Sequence, residues 1–207
     1  MDKNVFKKFL PVNPVILDAG AFNGDDSIAF SNIFPDGTIL SIEPVKSIYD
    51  NLVFNTSNYS NIKTFNYALD DTCGKKSIFV SSGMSNQSSS LLEPKEHIKM
   101  FPDCKFDNKE LVETITINQF VKDNNIDRID CMWLDLQGNE YKVLQHANDI
   151  LHTTNAIYSE YSLVEFYDGL VMYDEFKSFI EDIGFIEIVN ENAFNYIGVG
   201  NSLFIRK

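Results

Sequence analysis

Four acidic side chains that close apolar runs, Asp18, Glu43, Asp135 and Glu160, are the residues whose type and placement could do chemistry. In an open α/β sheet, ligands bind outside the carboxyl ends of the strands, where strand order reverses. A carboxylate at such an end can accept ribose hydroxyl protons, take a proton from a nucleophile or face a cation. The richest stretch is Val15 to Asp25, V-I-L-D-A-G-A-F-N-G-D. Val15, Ile16 and Leu17 make a buried-strand run, and Gly20 and Gly24 let the next backbone turn tightly beside a ligand. The spacing is G-x-x-x-G, whereas a dinucleotide fingerprint needs G-x-G-x-x-G so that a helix N-terminus meets a pyrophosphate. The mismatch argues against NAD and leaves a cofactor without phosphates, such as S-adenosylmethionine.

Strands alternating with helices must position these acids, and the chain supplies that pattern. Asp25 and Asp26 open a helix whose apolar spacing, Ile28, Ala29, Ile33 and Phe34, ends at Pro35. Thr38 to Ile42 reads as a second strand stopped at Glu43-Pro44, and Ile48, Leu52 and Val53 mark the next helix. Ile62 to Leu69 reads as a third strand and Ser77 to Val80 as a short returning one. Val112 to Ile117 follows as a strand, Asn118 to Asp123 as a helix, and Ile129 to Leu136 as an apolar run entering Asp135-Leu136-Gln137-Gly138-Asn139-Glu140. A helix from Tyr141, a strand over Ala156 to Glu160 and a helix over Tyr173 to Ile183 come next. Phe185 to Val189 and Ser202 to Ile205 close the sheet as an antiparallel pair joined by an Asn/Gly-rich turn. From Ser81 to Asn108 the period dissolves into serines, two prolines and mixed charge. Such long connections are functional or disordered, so residues 81–108 read as a substrate-covering lid or as a plain disordered insertion.

A chain of 207 residues, 44% hydrophobic, buries one substantial core, so residues 1–207 are expected to form one domain. The net charge of -13 disfavours nucleic acid and anionic membranes, whose binding depends on Lys and Arg neutralising phosphates. Cys73, Cys104 and Cys131 fit neither a disulfide framework nor paired zinc ligands, which points to a reducing, cytoplasmic location. Met1 to Leu10 has no apolar signal core, and no segment approaches a membrane span. Glu43, about one βα unit past the glycine loop, can accept both ribose hydroxyl protons; the alternative is a strand end capped in solvent. Asp18 either holds the loop through backbone N–H groups, faces the cationic end of the cofactor or is purely structural.

Together these blocks resemble the FkbM-type S-adenosylmethionine-dependent O-methyltransferases from about Val15 to the last strand. Leu17-Asp18-Ala19-Gly20-Ala21-Phe22-Asn23-Gly24-Asp25 is similar to the family's V-D-V-G-A-N-x-G-D, with Phe22 replacing the usual asparagine. Ser41-Ile42-Glu43-Pro44 is similar to its acid-proline block, and Asn66-Tyr67-Ala68-Leu69-Asp70 to its N-x-A-L-S/D segment, where adenine would lie. Trp133 to Leu144 resembles K-I-D-V-E-G-x-E-x-x-V-L, with Trp133 for lysine and Gln137 for glutamate. The resemblance implies a Rossmann-like class I methyltransferase fold: a seven-stranded, mostly parallel sheet with one antiparallel strand and helices on both faces. It implies cofactor contacts from Asp18, Gly20, Ala21, Phe22, Asn23, Gly24, Asp25, Glu43, Pro44, Ala68, Leu69, Asp70 and Asp135. The methyl group would point toward Asp135 and Glu160, beneath the 81–108 segment.

The activity so implied is O-methylation of a sugar, glycan or secondary metabolite. A hydroxyl is a poor nucleophile at neutral pH, so Asp135 is expected to take its proton; alternatively it orders the Gly138 turn through backbone N–H groups. Glu160 would bind a substrate hydroxyl or share a divalent cation with Asp135, but no third ligand is evident and no metal is expected. His97 could act as a base when the lid closes, or be an ordinary surface residue. His146 and His152 read as structural, and Tyr158, Tyr161, Phe166 and Tyr167 around Glu160 as sugar-stacking or packing groups. The expected partner is a hydroxyl-bearing small molecule or glycan, and a homodimer is the expected assembly. An NAD-type oxidoreductase and a non-catalytic ligand-binding module remain the alternatives, the latter because of Phe22, Trp133 and Gln137.

Overall fold

Short apolar runs become strands in the computed structural model of the chain, which describes residues 1–194 and 198–207. In chain order the strands are β1 (Val15–Ala19), β2 (Thr38–Ile42), β3 (Ile62–Phe65), β4 (Ala68–Leu69), β5 (Gly74–Gly83), β6 (Cys104–Ile115), β7 (Cys131–Leu134), β8 (Ala156–Ser162), β9 (Phe185–Phe194) and β10 (Val199–Arg206). The helices are α1 (Asp25–Ile33), α2 (Lys46–Thr56), α3 (Glu96–Met100), α4 (Ile117–Asp123), α5 (Glu140–Gln145), α6 (Asn148–Leu151) and α7 (Tyr173–Asp182), after a 3₁₀ turn at Lys3–Lys8.

Seven strands form one sheet in the order β3-β2-β1-β7-β8-β10-β9. β10 is antiparallel to both its neighbours and the other pairings are parallel. Strand order therefore reverses at β1, between β2 and β7, the place where open sheets of this kind bind ligands. Alternation along β1 divides the core. Ile16 packs with Phe6, Phe30, Phe34 and Trp133 on one face, while Leu17 and Ala19 join Leu40, Phe120, Leu144 and Ile180 on the other. Trp133, buried in the first face, stacks on Tyr158 with ring centroids 3.9 Å apart and carries the Lys3 ammonium 4.2 Å above its ring.

Three expectations are corrected here. The third strand does not run to Leu69: Asn66 donates its side-chain N–H groups to the Glu43 and Pro44 carbonyls, at 2.8 and 2.9 Å, and the chain leaves the main sheet for a smaller one ordered β4-β6-β5. The short strands expected near residues 77–80 and 112–117 are the paired arms of a long β5/β6 hairpin, most of whose residues are solvated. Within residues 81–108, 81–83 lie in β5, 104–108 in β6 and α3 between them, and the strand expected to end at Glu160 runs on to Ser162 because Tyr161 and Ser162 pair with Gly200 and Val199 of β10. The expected Asn/Gly-rich turn before β10 falls on residues 195–197, outside the described residues.

Phe30 is fully buried between Phe6 and Trp133, with ring centroids 5.5 and 5.4 Å away. Phe30→Ala should cost about 3–5 kcal/mol in denaturant unfolding, the range for truncating a buried aromatic. A loss near zero would show that this face does not carry the fold.

Candidate active site

β1 and β7 end side by side, with the Asp135 N–H donating to the Ala19 carbonyl at 3.0 Å. Gly20 then turns with φ +84°, and a Cβ there would stand 1.9 Å from the Asp135 carbonyl oxygen, so only glycine fits. The Gly20 and Ala21 N–H groups both donate to the Ile42 carbonyl, at 3.0 and 2.9 Å, binding the loop to the end of β2. Phe22 is left-handed at φ +48° and donates its N–H to Glu43 Oε2 at 3.2 Å, while Glu43 Oε1 accepts the Val45 N–H at 2.8 Å. Asparagine tolerates this conformation better than phenylalanine, which is a physical reason for asparagine at such a position. The contribution of residue 22 to Glu43 is its backbone N–H, which Phe22 retains.

Glu43 is buried, so it is not a solvated strand cap, and burial raises its carboxyl to about 7. Of the alternatives for Asp18, its placement agrees with the structural one. It shares the α1 face with Ile16, hydrogen-bonds the Ser27 hydroxyl in the first turn of α1, and Ser27 in turn meets Ser41 Oγ at 2.6 Å. Strand alternation thus turns Asp18 away from the cavity, and it takes no backbone N–H from the loop; burial raises it too to about 7.

A cavity of about 280 Å³ opens over these ends. Gly20, Ala21, Phe22, Asn23, Asp25, Glu43, Pro44, Ala68, Leu69 and Asp135 line it, so most of the expected cofactor residues are brought together. Gly24 and Asp70 are not. Gly24 caps α1 and packs against α2, where a Cβ would meet Leu52 and Thr56 at 2.8 and 2.9 Å. Asp70 is buried with the Lys76 ammonium and the Asn139 side-chain N–H. Among the described residues no Lys or Arg lines this cavity, while Asp25, Asp26, Glu43 and Asp135 do. That donor set suits a cofactor without phosphates that carries positive charge.

A second cavity of about 340 Å³ adjoins the first, and the two share Gln87, Asp135 and Gln137 as walls. Its remaining surface includes Ser85, Ser88, His97, Phe101, Glu160, Phe166 and Tyr167. Glu140 ties the turn after β7, accepting the Leu136 and Gly138 N–H groups at 2.6 and 3.0 Å, so the turn-ordering role considered for Asp135 belongs to Glu140. Asp135 is left open to both cavities, with Oδ1 accepting from Gln137 Nε2 at 2.6 Å. Enclosure among other carboxyls raises Asp135, and raises Glu160 well above its ordinary value. No cluster of three metal-ligating side chains occurs among the described residues.

The 81–108 segment roofs both cavities. Tyr167 donates its hydroxyl to the Ser88 carbonyl at 3.0 Å, Ser90 Oγ donates to the Gln137 carbonyl at 2.8 Å, and the Lys95 and Asp168 N–H groups bond the Phe166 and Glu93 carbonyls, each at 2.8 Å. His97 is not a surface residue. It is buried among Phe101, Phe106, Phe166 and Tyr167, its Nδ1 has no hydrogen-bond partner among the described residues, and burial lowers its pKa, favouring the neutral ring. Of the aromatic residues near Glu160, Phe166 and Tyr167 face the second cavity, whereas Tyr158 stacks on Trp133.

Sequence reasoning missed Gln137, which lies at φ +51° and bonds both acids, and Asn66 and Asn139, which work through side-chain bonds to distant backbone. Gln137 beside Gly138 offered a signal, because a non-glycine residue held left-handed is often fixed by a site.

Residues 18–187 match the family model described as "Methyltransferase FkbM domain". Over 162 residues the chain is 29% identical to 2-O-methyltransferase NoeI of Sinorhizobium fredii (strain NBRC 101917 / NGR234), covering 76% of this chain and 67% of that protein. A solved methyltransferase FkbM from Methylobacillus flagellatus KT superposes with TM-score 0.58 at 14% identity, over 94% of this chain and 44% of the other. Aeropyrum pernix fibrillarin, in complex with natively bound S-adenosyl-L-methionine, superposes with TM-score 0.55 at 12% identity, over 95% and 69%. These two structural likenesses concern the fold. No helix among the described residues is long and apolar enough to cross a membrane.

Asp18, Glu43 and Glu140 all titrate near 7 when folded, above an ordinary unfolded carboxyl near 4, so each contributes stability that is complete below about pH 4 and lost as pH rises through about 7. Asp18→Asn, which imitates the protonated acid and still accepts from Ser27, should flatten the fall in melting temperature between about pH 4 and 7. An unchanged slope would contradict the burial assigned to Asp18.

Proposed function

This chain belongs to the FkbM methyltransferase family, and from that premise we propose that it methylates a hydroxyl of a neutral small molecule or glycan. S-adenosylmethionine is its methyl donor, which sets aside the NAD reading. The observation that carries the proposal is the meeting of two cavities at Gln87, Asp135 and Gln137. One has the lining a cationic, phosphate-free cofactor needs, and the other is walled by aromatic rings, serines and Glu160. The chain acts as one methyltransferase domain, with residues 84–103 as the roof over the acceptor.

When bound, the cofactor supplies a methyl group on a sulfonium, transferred by displacement at carbon. Glu43 accepts the ribose hydroxyls with the lone pairs that Phe22 and Val45 leave free. Pro44, Ile48, Ile78 and Leu91 form an apolar slot for the adenine beside Ala68 and Leu69. Asp135 takes the acceptor's proton at the junction, and its raised pKa brings it nearer the optimum for a base at neutral pH. Glu160 receives a neighbouring hydroxyl, and His97 contributes a neutral ring to the wall on the roof side. Positioning the hydroxyl in line with the methyl is the main task of the aromatic walls. No Lys or Arg among the described residues lines the acceptor cavity, and its two carboxylates would repel phosphates, which favours uncharged acceptors over nucleotide-linked ones.

At about 100 times Kd, S-adenosylmethionine should stabilise the chain by about 2.7 kcal/mol, read as a melting shift. Asp135→Asn should keep that shift while turnover falls about 10²- to 10⁴-fold, the range for losing a general base. With labelled donor, a panel of neutral glycans and nucleotide sugars should give labelled product from the neutral members. Labelling confined to the nucleotide sugars would contradict the acceptor assignment, and full turnover in Asp135→Asn would contradict the base.

A further inference from the structure

We infer that Gln137 is a positioning residue for the transfer, its side-chain amide tying Asp135 to Glu160 and fastening both to the roof over the acceptor. The inference rests on the reading of Asp135 as the base. Gln137 Nε2 donates to Asp135 Oδ1 at 2.6 Å and to Glu160 Oε2 at 3.1 Å, using both its N–H groups on the two acids. Turned over, the amide would set Oε1 against both acids; as placed, Oε1 lies 2.8 Å from the Tyr167 hydroxyl, whose one proton it shares with the Ser88 carbonyl at 3.0 Å. Its main chain is held left-handed at φ +51°, and its carbonyl accepts Ser90 Oγ from the roof at 2.8 Å. Tyr167 also reaches the Ser88 carbonyl of the roof, so the contacts that close the cavity and those that orient the acids converge on one residue.

Several acids surround Asp135: Asp26 on α1, Glu43 just after β2, Glu140 on α5 and Glu160 on β8 act on it or on one another, and Tyr167 and His97 share its cavity. The Gln137 amide supplies the only side-chain N–H recorded on either Asp135 or Glu160 among the described residues. A carboxylate at position 137 would offer no N–H to either acid.

The test compares kcat/KM against pH in Gln137→Glu, Gln137→Met, Tyr167→Phe and Asp135→Asn, with S-adenosylmethionine affinity measured alongside by melting shift. We expect the acid limb to move up by about one unit or more in Gln137→Glu and Gln137→Met, a loss that higher pH restores, with cofactor affinity within about threefold of the parent. Tyr167→Phe should move the limb the same way by less. If Gln137→Glu does not fold, the Gln137→Met and Tyr167→Phe profiles decide. An inactive Asp135→Asn beside unmoved acid limbs in those variants overturns the role of Gln137 alone. Turnover at the parent level in Asp135→Asn overturns the assignment of the base, and this inference with it.

Discussion

The carbonyl of Asp135 fills the space that any side chain at position 20 would need, and this contact fixes the two strand ends on which the site stands. β1 and β7 can end in register only because Gly20 lets the backbone pass at that distance, and the Ala19 carbonyl then receives the Asp135 N–H. From there the loop returns to the end of β2, where two N–H groups meet the Ile42 carbonyl and a third, from Phe22, meets Glu43. One close approach of main chain to main chain thus sets where Glu43 and Asp135 lie relative to each other. The walls of the first cavity at Glu43 and Asp135 are consequences of the same contact.

Negative charge is the second organising feature. Asp18, Glu43 and Glu140 are buried, Glu160 is half-buried and Asp135 opens to the cavities; all five are raised above ordinary carboxyl values, and no Lys or Arg among the described residues lines either cavity. Buried acids without cations cost stability, and such an arrangement persists where a bound positive group offsets it. A sulfonium donor is such a group, and its charge disappears on methyl transfer. The electrostatics that favour binding before reaction therefore weaken afterwards, which assists departure of the demethylated product.

The strands carrying the site acids were legible because burial on both faces leaves short apolar runs, with Glu43 and Asp135 just past the ends of β2 and β7, Asp18 one residue short of the end of β1 and Glu160 two short of the end of β8. The direction of Asp18 was also legible in principle, since it has the parity of Ile16 and must share that residue's face. The β5/β6 hairpin was not legible: much of it faces solvent, so its polar residues lack the alternation that marks a half-buried strand. His97 looked like a lid residue by neighbourhood, and only the aromatic rings gathered from α3, β6 and the segment after β8 bury it. Gln137 was read by the charge it lacks, although its value lies in N–H groups a carboxylate does not possess. Phe22 was the least orthodox residue of the glycine loop, yet it serves Glu43 through its backbone.

The most direct measurement of the central claim is a crystal structure of the chain with S-adenosylhomocysteine bound. The sulfur should lie at the junction walled by Gln87, Asp135 and Gln137, with the ribose hydroxyls on Glu43 and the adenine between Ile48 and Leu91. A sulfur turned away from that junction, or a ribose without contact to Glu43, would contradict the account.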